Sequence, residues 1–277
     1  MSFFRRVISA LKKIAPLSLA ETSWDNVGLL VEPPYPRENA SRVFLTIDLT
    51  SEVLEEALSD PEVGFIIAYH PPIFRAFKRL TLTDTKQAIV MKCVAKGVGV
   101  YSPHSALDSC IGGVNDWLAK GLGSGKTEVI NPLENPPPGQ EGAGSGRIFT
   151  YNQPIHLLNV VERVKSHLRL QHVRVATATK HNSGLIQTVG ICAGSAGSSL
   201  LSPVRADLYF TGEMSHHEVL AALAHDTSVI LCEHTNTERG YLLDVLKPTL
   251  QSIVDDSLDE PIEVCVSQLD IDPIKII

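Results

Sequence analysis

Apolar residues along this chain follow two alternating patterns. The first repeats at helical spacing, as in Phe4, Val7, Ile8, Leu11 and Ile14, and predicts a helix over 4–14. The second is the short unbroken apolar run: Val43–Ile47, Phe65–Tyr69 and Val98–Tyr101 predict strands buried on both faces. Between the strands the helical period returns. It predicts helices over Ser51–Leu58, with Ser51 as N-cap, over Asp84–Ala95 and over Gly113–Leu122. From Asn131 to Gly146 the pattern stops. Asn135-Pro136-Pro137-Pro138-Gly139 and Gly142-Ala143-Gly144-Ser145-Gly146 fit neither a helix nor a packed strand. Beyond it the alternation resumes, with strands near Arg147–Tyr151, Val173–Ala178, Ile186–Cys192, Leu208–Phe210, Val229–Cys232 and Ile262–Val266. Helices are expected at Ile155–Leu168, His217–Ala224 and Glu238–Ile253, and a glycine-rich turn, Gly194–Ser198, opens a further short helix. The expectation is an α/β chain with mixed, largely parallel sheets, in two lobes. Residues 1–130 form the first, 131–146 a Pro/Gly-rich loop, and 147–277 the second.

Composition narrows the function classes. The chain has 277 residues, 44% of them hydrophobic, enough for a substantial core. The net charge is −7 and no basic stripe stands out, so direct nucleic-acid binding is not expected. Five widely spaced cysteines without a CxxC pair read as buried thiols in a reducing compartment. No apolar run reaches the length of a membrane span. The segment Met1–Pro16 is basic and amphipathic, as in a mitochondrial presequence, but its helical spacing favours an ordinary first helix. The expected location is cytoplasmic, with nucleus and mitochondrion as alternatives.

Polar residues collect where the apolar runs end. Val43–Ile47 runs into Asp48, and Phe65–Tyr69 into His70. Val98–Tyr101 runs into Ser102-Pro103-His104, with Asp108 four residues on. Leu208–Phe210 leads to Glu213, and Val229–Cys232 to Glu233-His234, with Glu238 four residues later. In an open α/β sheet the carboxyl ends of parallel strands form the ligand crevice. Imidazole and carboxylate without thiolate suit zinc, iron or manganese in a hydrolytic site better than a structural one. These strand-end residues, His70, Asp108, His234 and Glu238 among them, are candidates to hold one or two divalent ions. Glu213, His217 and His104 are the candidate proton carriers. Plainer readings stand beside these. Thr235-Asn236-Thr237-Glu238 fits a capping box, Ser105-Ala106-Leu107-Asp108 allows the same, and His70 before Pro71-Pro72 fits a satisfied turn histidine. The Gly194–Ser198 turn could cradle a phosphate but lacks the lysine of a P-loop. No GxSxG elbow occurs.

Several motifs together resemble the Nif-three-like family. They are Ser23-Trp24-Asp25-Asn26-Val27-Gly28-Leu29-Leu30, Tyr69-His70-Pro71-Pro72-Ile73-Phe74, and Val100–Asp108. Thr211-Gly212-Glu213-Met214-Ser215-His216-His217 and His234-Thr235-Asn236-Thr237-Glu238-Arg239 complete the set, in order, over about Leu11 to Ile276. The resemblance implies a two-lobed α/β fold with a dinuclear metal site in the cleft between the lobes, to which residues 200–277 return. It also implies a ring-shaped homohexamer and, in some members, a GTP cyclohydrolase activity of a second type. By position His70, Asp108, His234 and Glu238 match family ligands, with Glu238 bridging both ions. A nucleotide substrate is one implied partner; the family's name, taken from a protein interaction, implies another. One departure matters. Bacterial members have two adjacent histidines where this chain has Tyr69-His70, and a phenol with pKa near 10 is a poor ligand. The second ion is therefore expected to bind weakly or not at all, which keeps a non-catalytic, regulatory role open. The larger inserted domain of many bacterial members is also missing, with the loop at 131–146 in its place.

Overall fold

A computed structural model describes residues 2–182, 184–195, 200–256 and 260–275. In chain order the elements are α1 (Phe3–Ile14), β1 (Gly28–Val31), β2 (Arg42–Thr46), α2 (Ser51–Ser59), β3 (Val63–Ala68), α3 (Thr85–Ala95) and β4 (Gly99–Ser102). There follow α4 (His104–Ser109), α5 (Val114–Lys120), β5 (Gly125–Pro132), β6 (Gly144–His156), α6 (Leu157–Leu168) and β7 (Arg174–Ala176). The chain continues with β8 (Leu185–Ser195), β9 (Leu208–Glu213), α7 (His216–Ala224), β10 (Ser228–Leu231), α8 (Arg239–Tyr241), α9 (Lys247–Asp255) and β11 (Glu263–Val266). Two compact units emerge: Met1–Leu107 with Tyr241–Ile271, and Asp108–Gly240 with Asp272–Ile277.

The first unit is built on a five-stranded sheet in the order β1-β4-β3-β2-β11. Strands β2, β3, β4 and β11 run parallel, and β1 pairs antiparallel with β4 at one edge. Every residue of β3 is buried, as its unbroken apolar run requires of a central strand. Successive side chains take opposite faces. Ile66 joins Val53, Leu54 and Ala57 of α2 and Ile89, Val90 and Cys93 of α3 in one core cluster, while Phe65 meets Phe4 of α1 edge-on at 5.1 Å. Burying a side chain of this size is worth about 1.5–3 kcal/mol. Helix α1 buries Val7, Ala10 and Leu11, so the basic first segment is part of the folded unit.

The second unit carries a six-stranded sheet in the order β5-β6-β8-β9-β10-β7. Strands β8, β9 and β10 are parallel; β5, β6 and β7 join antiparallel. Leu201, Tyr209, Ala222, Val229 and Leu231 pack a core that seats α7 on β9 and β10. The expected loop over 131–146 is shorter: residues 133–143 connect β5 to β6, and its two ends are paired strand, with Asn131 opposite Ser145 and Pro132 opposite Gly144.

Local chemistry moved several boundaries. The N-cap of α2 is Thr50, not Ser51: Thr50 has extended backbone and its side chain accepts from the Val53 N–H. Strand β8 continues through Gly194 to Ser195, so the first part of the expected turn is strand, and residues 196–198 lie outside the described residues. The single helix expected over 238–253 is α8, a π-helical turn at Leu242–Leu246, and then α9. Strands β1 and β5 and helix α4 had no strong periodic signal. No helix among the described residues is long and apolar enough to cross a membrane.

Candidate functional site

In the first unit the polar cluster sits at the carboxyl ends of β2, β3 and β4. Strand β3 ends at Ala68, the N–H groups of Tyr69 and His70 still bond to the Thr46 and Ile47 carbonyls, and Pro71 and Pro72, which follow, have no N–H to continue the ladder. His70 stands in that turn, and its Nδ1 lies 3.0 Å from Oδ1 of Asp48, two residues past the end of β2. His104 opens α4 just beyond β4, with Nδ1 2.8 Å from Oδ1 of Asp25. Its φ of +27° lies where non-glycine residues rarely go. The Asp25 side chain is fully buried. Burial pushes its carboxyl up, but hydrogen bonds from His104 and Ser105 and the nearby imidazole hold it below the ordinary 3.8. The Ser105 hydroxyl donates to Asp25 and accepts the Glu21 N–H, so it is committed to that network. Tyr69 is fully buried, its ring edge-on to His70 at 5.3 Å and to His104 at 5.6 Å.

In the second unit the cluster gathers at the ends of β9 and β10. His234 Nδ1 lies 2.7 Å from Oε1 of Glu213, the last residue of β9. Its Nε2 lies 3.5 Å from Oε1 of Glu238, which is 3% exposed. The turn between them is clamped from three sides. Thr235 donates to Asp272 and accepts from Arg239, and the Thr237 hydroxyl donates to the His234 carbonyl and accepts the Gly194 N–H. The capping-box reading of Glu238 fails, because the Thr235 N–H that Glu238 would accept goes to Asp272 at 3.2 Å and the Glu238 N–H goes to the Thr235 carbonyl, not to its hydroxyl. The Gly194 N–H is committed as well, which removes it from any phosphate cradle.

Asp108 lies in α4, its carbonyl accepting from Asn115 Nδ2 at 3.0 Å. Burial pushes the Cys192 thiol up, and the negative charges of Asp108 and Glu238 beside it push it further. Asp108 and Glu238 thus both lie within electrostatic reach of the half-buried Cys192. A Cβ added at Gly194, where φ is +61°, would come within 2.7 Å of both Glu238 Oε1 and His234 Nε2. The glycine leaves the space in front of those two donors open, and the donor set of imidazole and carboxylate fits a divalent ion. His217 is exposed on the first turn of α7, with its ring 5.5 Å from that of His216.

The remaining candidates are structural. Burial pushes Cys93 and Cys110 up to about 12 and Cys265 to about 11, so these thiols stay protonated near neutrality. His181 is buried with Nδ1 2.8 Å from the Ser228 hydroxyl, and His167 packs on Trp117. Sequence reasoning missed Asp25 as a partner of His104 and did not pair Asp48 with His70. The position of Asp48 just past an apolar strand was the available signal.

Fold and site together define a class: a mixed α/β protein whose strand-end histidines are each backed at Nδ1 by a carboxylate, a pattern typical of metal-binding imidazoles. The chain belongs to the family described as Duf34/NIF3 (NGG1p interacting factor 3), whose family model matches residues 3–273. It is 46% identical over 275 residues to a protein NIF3 homolog of Schizosaccharomyces pombe, covering 97% of each chain. It is 38% identical over 285 residues to NGG1-interacting factor 3 of Saccharomyces cerevisiae, covering 98% of this chain and 96% of the relative. The crystal structure of a Bacillus cereus protein related to NIF3 superposes with a TM-score of 0.82 at 21% identity, covering 99% and 98% of the two chains, and shows the same fold.

Proposed function

We propose that this protein is a metal-dependent hydrolase-like protein acting on a nucleotide such as GTP, with His70, Asp108, His234 and Glu238 holding one or two divalent ions. The observation that carries the reading is the backing of His234 by Glu213 while its Nε2 meets the buried carboxylate of Glu238. A carboxylate accepting from Nδ1–H fixes the tautomer and leaves the Nε2 lone pair for a metal. His70 repeats the device with Asp48. His70, His234 and Glu238 can each supply one ligand atom, and Asp108, like Glu238, lies near Cys192.

When bound, the ion supplies Lewis acidity that polarises a scissile bond and a water molecule. The protein supplies the rest. Glu213 and Asp48 hold two imidazoles in position, and Gly194 keeps the approach to His234 and Glu238 clear. His104, 5.3 Å from His70 between ring centroids, is the best placed of the proton carriers, ahead of Glu213, already engaged with His234, and exposed His217. The ring-opening cyclohydrolase reaction and a homohexameric assembly belong to the same proposal and rest on the family resemblance.

A second reading has its own support. Tyr69 stands where bacterial members carry a histidine, and one relative is named for an interaction with NGG1. In that reading the protein binds one metal and acts through a protein partner. Metal content per chain, in protein purified without chelator, separates the two. Close to two equivalents, with GTP turnover lost in Glu238→Ala and Asp108→Ala, supports the hydrolase. One equivalent, rising to two in Tyr69→His, with no turnover, supports the regulator. No metal in either protein overturns both.

A further inference from the structure

Trp24 and Phe74 are large rings with 53% and 42% of their surface exposed. Exposed apolar residues scattered singly need no explanation. These two are neighbours, their centroids 6.3 Å apart, and the His104 ring stands edge-on to both, at 5.8 and 6.5 Å. The three rings come from three separate segments of the first unit: the stretch between α1 and β1, the stretch after β3, and the head of α4.

The chain invests in holding them there. Asn26 Nδ2 donates to the Ile73 carbonyl at 2.5 Å, tying the Trp24 segment to the Phe74 segment. Asp25 spends its oxygens on His104 Nδ1, on the Asn26 and Ser105 N–H groups and on the Ser105 hydroxyl. His104 keeps an unfavourable φ of +27°, a local cost of the kind that clusters at functional positions. The Asp25 side chain thus turns inward, while Trp24 and Phe74 stay exposed beside it.

We infer that Trp24, Phe74 and His104 bind the planar heteroaromatic ring of the ligand, a purine-like nitrogen heterocycle, beside His70. The inference rests on the nucleotide reading above and assigns its base-binding surface. Aromatic faces stack on any flat π system, and the imidazole edge offers the one polar atom not held by Asp25, Nε2. A sugar is disfavoured. It would need a fan of free carboxylates and amides beside the indole, and here Asp25 and Asn26 are committed to the protein. Arg75, Lys78 and Arg79 follow Phe74 on the same exposed segment and suit a phosphate ester of such a ring.

The chain has two tryptophans, and Trp117 is buried against His167, so emission lost on contact with a ligand reports on Trp24. The full-length protein is titrated with guanosine 5′-monophosphate and, separately, with ribose 5-phosphate, in chelated and in metal-loaded form. Saturable quenching by the nucleotide and none by the sugar phosphate is expected. Phe74→Leu should raise the Kd about tenfold or more. Trp24→Leu should do the same by equilibrium dialysis, and Trp24→Phe should retain most of the binding. Equal quenching by ribose 5-phosphate, or an unchanged Kd in both leucine variants, overturns the assignment. So does Trp24 emission that depends on protein concentration without probe, which means that a second copy covers the rings. Quenching by nucleotide in a protein that takes up no metal leaves the ring surface standing and removes the metal reading. Metal uptake without quenching does the reverse.

Discussion

At the scale of the residue, the informative unit is an imidazole with a carboxylate behind it. The Asp48 and Glu213 side chains are 39% and 45% exposed, so their pairs with His70 and His234 are screened and add little to stability. Their recurrence behind two strand-end histidines is better explained by orientation of the ring. Asp48→Asn and Glu213→Gln should each lower divalent-metal affinity about 10–100-fold, measured by competition with a chromophoric chelator. The unfolding midpoint of the metal-free protein should hardly move; unchanged metal affinity in both variants would exclude an orienting role. How much of this was legible varies with the residue. His70, His234, Asp108 and Glu238 could be picked out because each lies at or near the end of an apolar run. The pairing of Asp25 with His104 could not, because the two are 79 positions apart and meet only once the first unit has folded.

At the scale of the element, the alternation of unbroken apolar runs with helical periods was enough to forecast both sheets. What it could not fix were the ends, where one or two hydrogen bonds decide. Thr50 and Ser51 can both cap a helix, serine by propensity the better, and only the turn after β2 determines which keeps extended backbone. Thr50→Ala should therefore cost about 1 kcal/mol, whereas Ser51→Ala, inside the helix, should be neutral or gain about a few tenths, by urea unfolding. Equal losses would return the cap to Ser51. The π-helical turn at Leu242–Leu246 escaped for a different reason. A locally widened turn leaves the apolar spacing of 238–253 reading as one helix, although the chain has already changed its hydrogen-bond step. Likewise β5 went unread just ahead of the proline- and glycine-rich stretch, since an edge strand with both faces largely exposed carries no apolar alternation.

At the scale of the whole molecule, a metal that binds the folded chain and not the unfolded one must raise the stability of the fold. The size of the effect follows from mass action. At a free ion concentration about 100 times the Kd the gain is about 2.7 kcal/mol. For a chain of 277 residues that corresponds to a Tm higher by about 5 °C or more. Zinc, manganese or ferrous iron added to chelated protein should produce this shift, and excess chelator should reverse it. The variants then say which residues the ion uses. Glu238→Ala should remove the shift. If His70→Ala removes it too, the ion draws a ligand from the turn after β3, and the four-residue set holds. A shift that survives His70→Ala but not Glu238→Ala confines the ion to Asp108, His234 and Glu238, and then the Asp48–His70 pair needs another purpose. A shift that survives both assigns the metal to residues outside the proposed set, and the strand-end histidines lose their role as ligands.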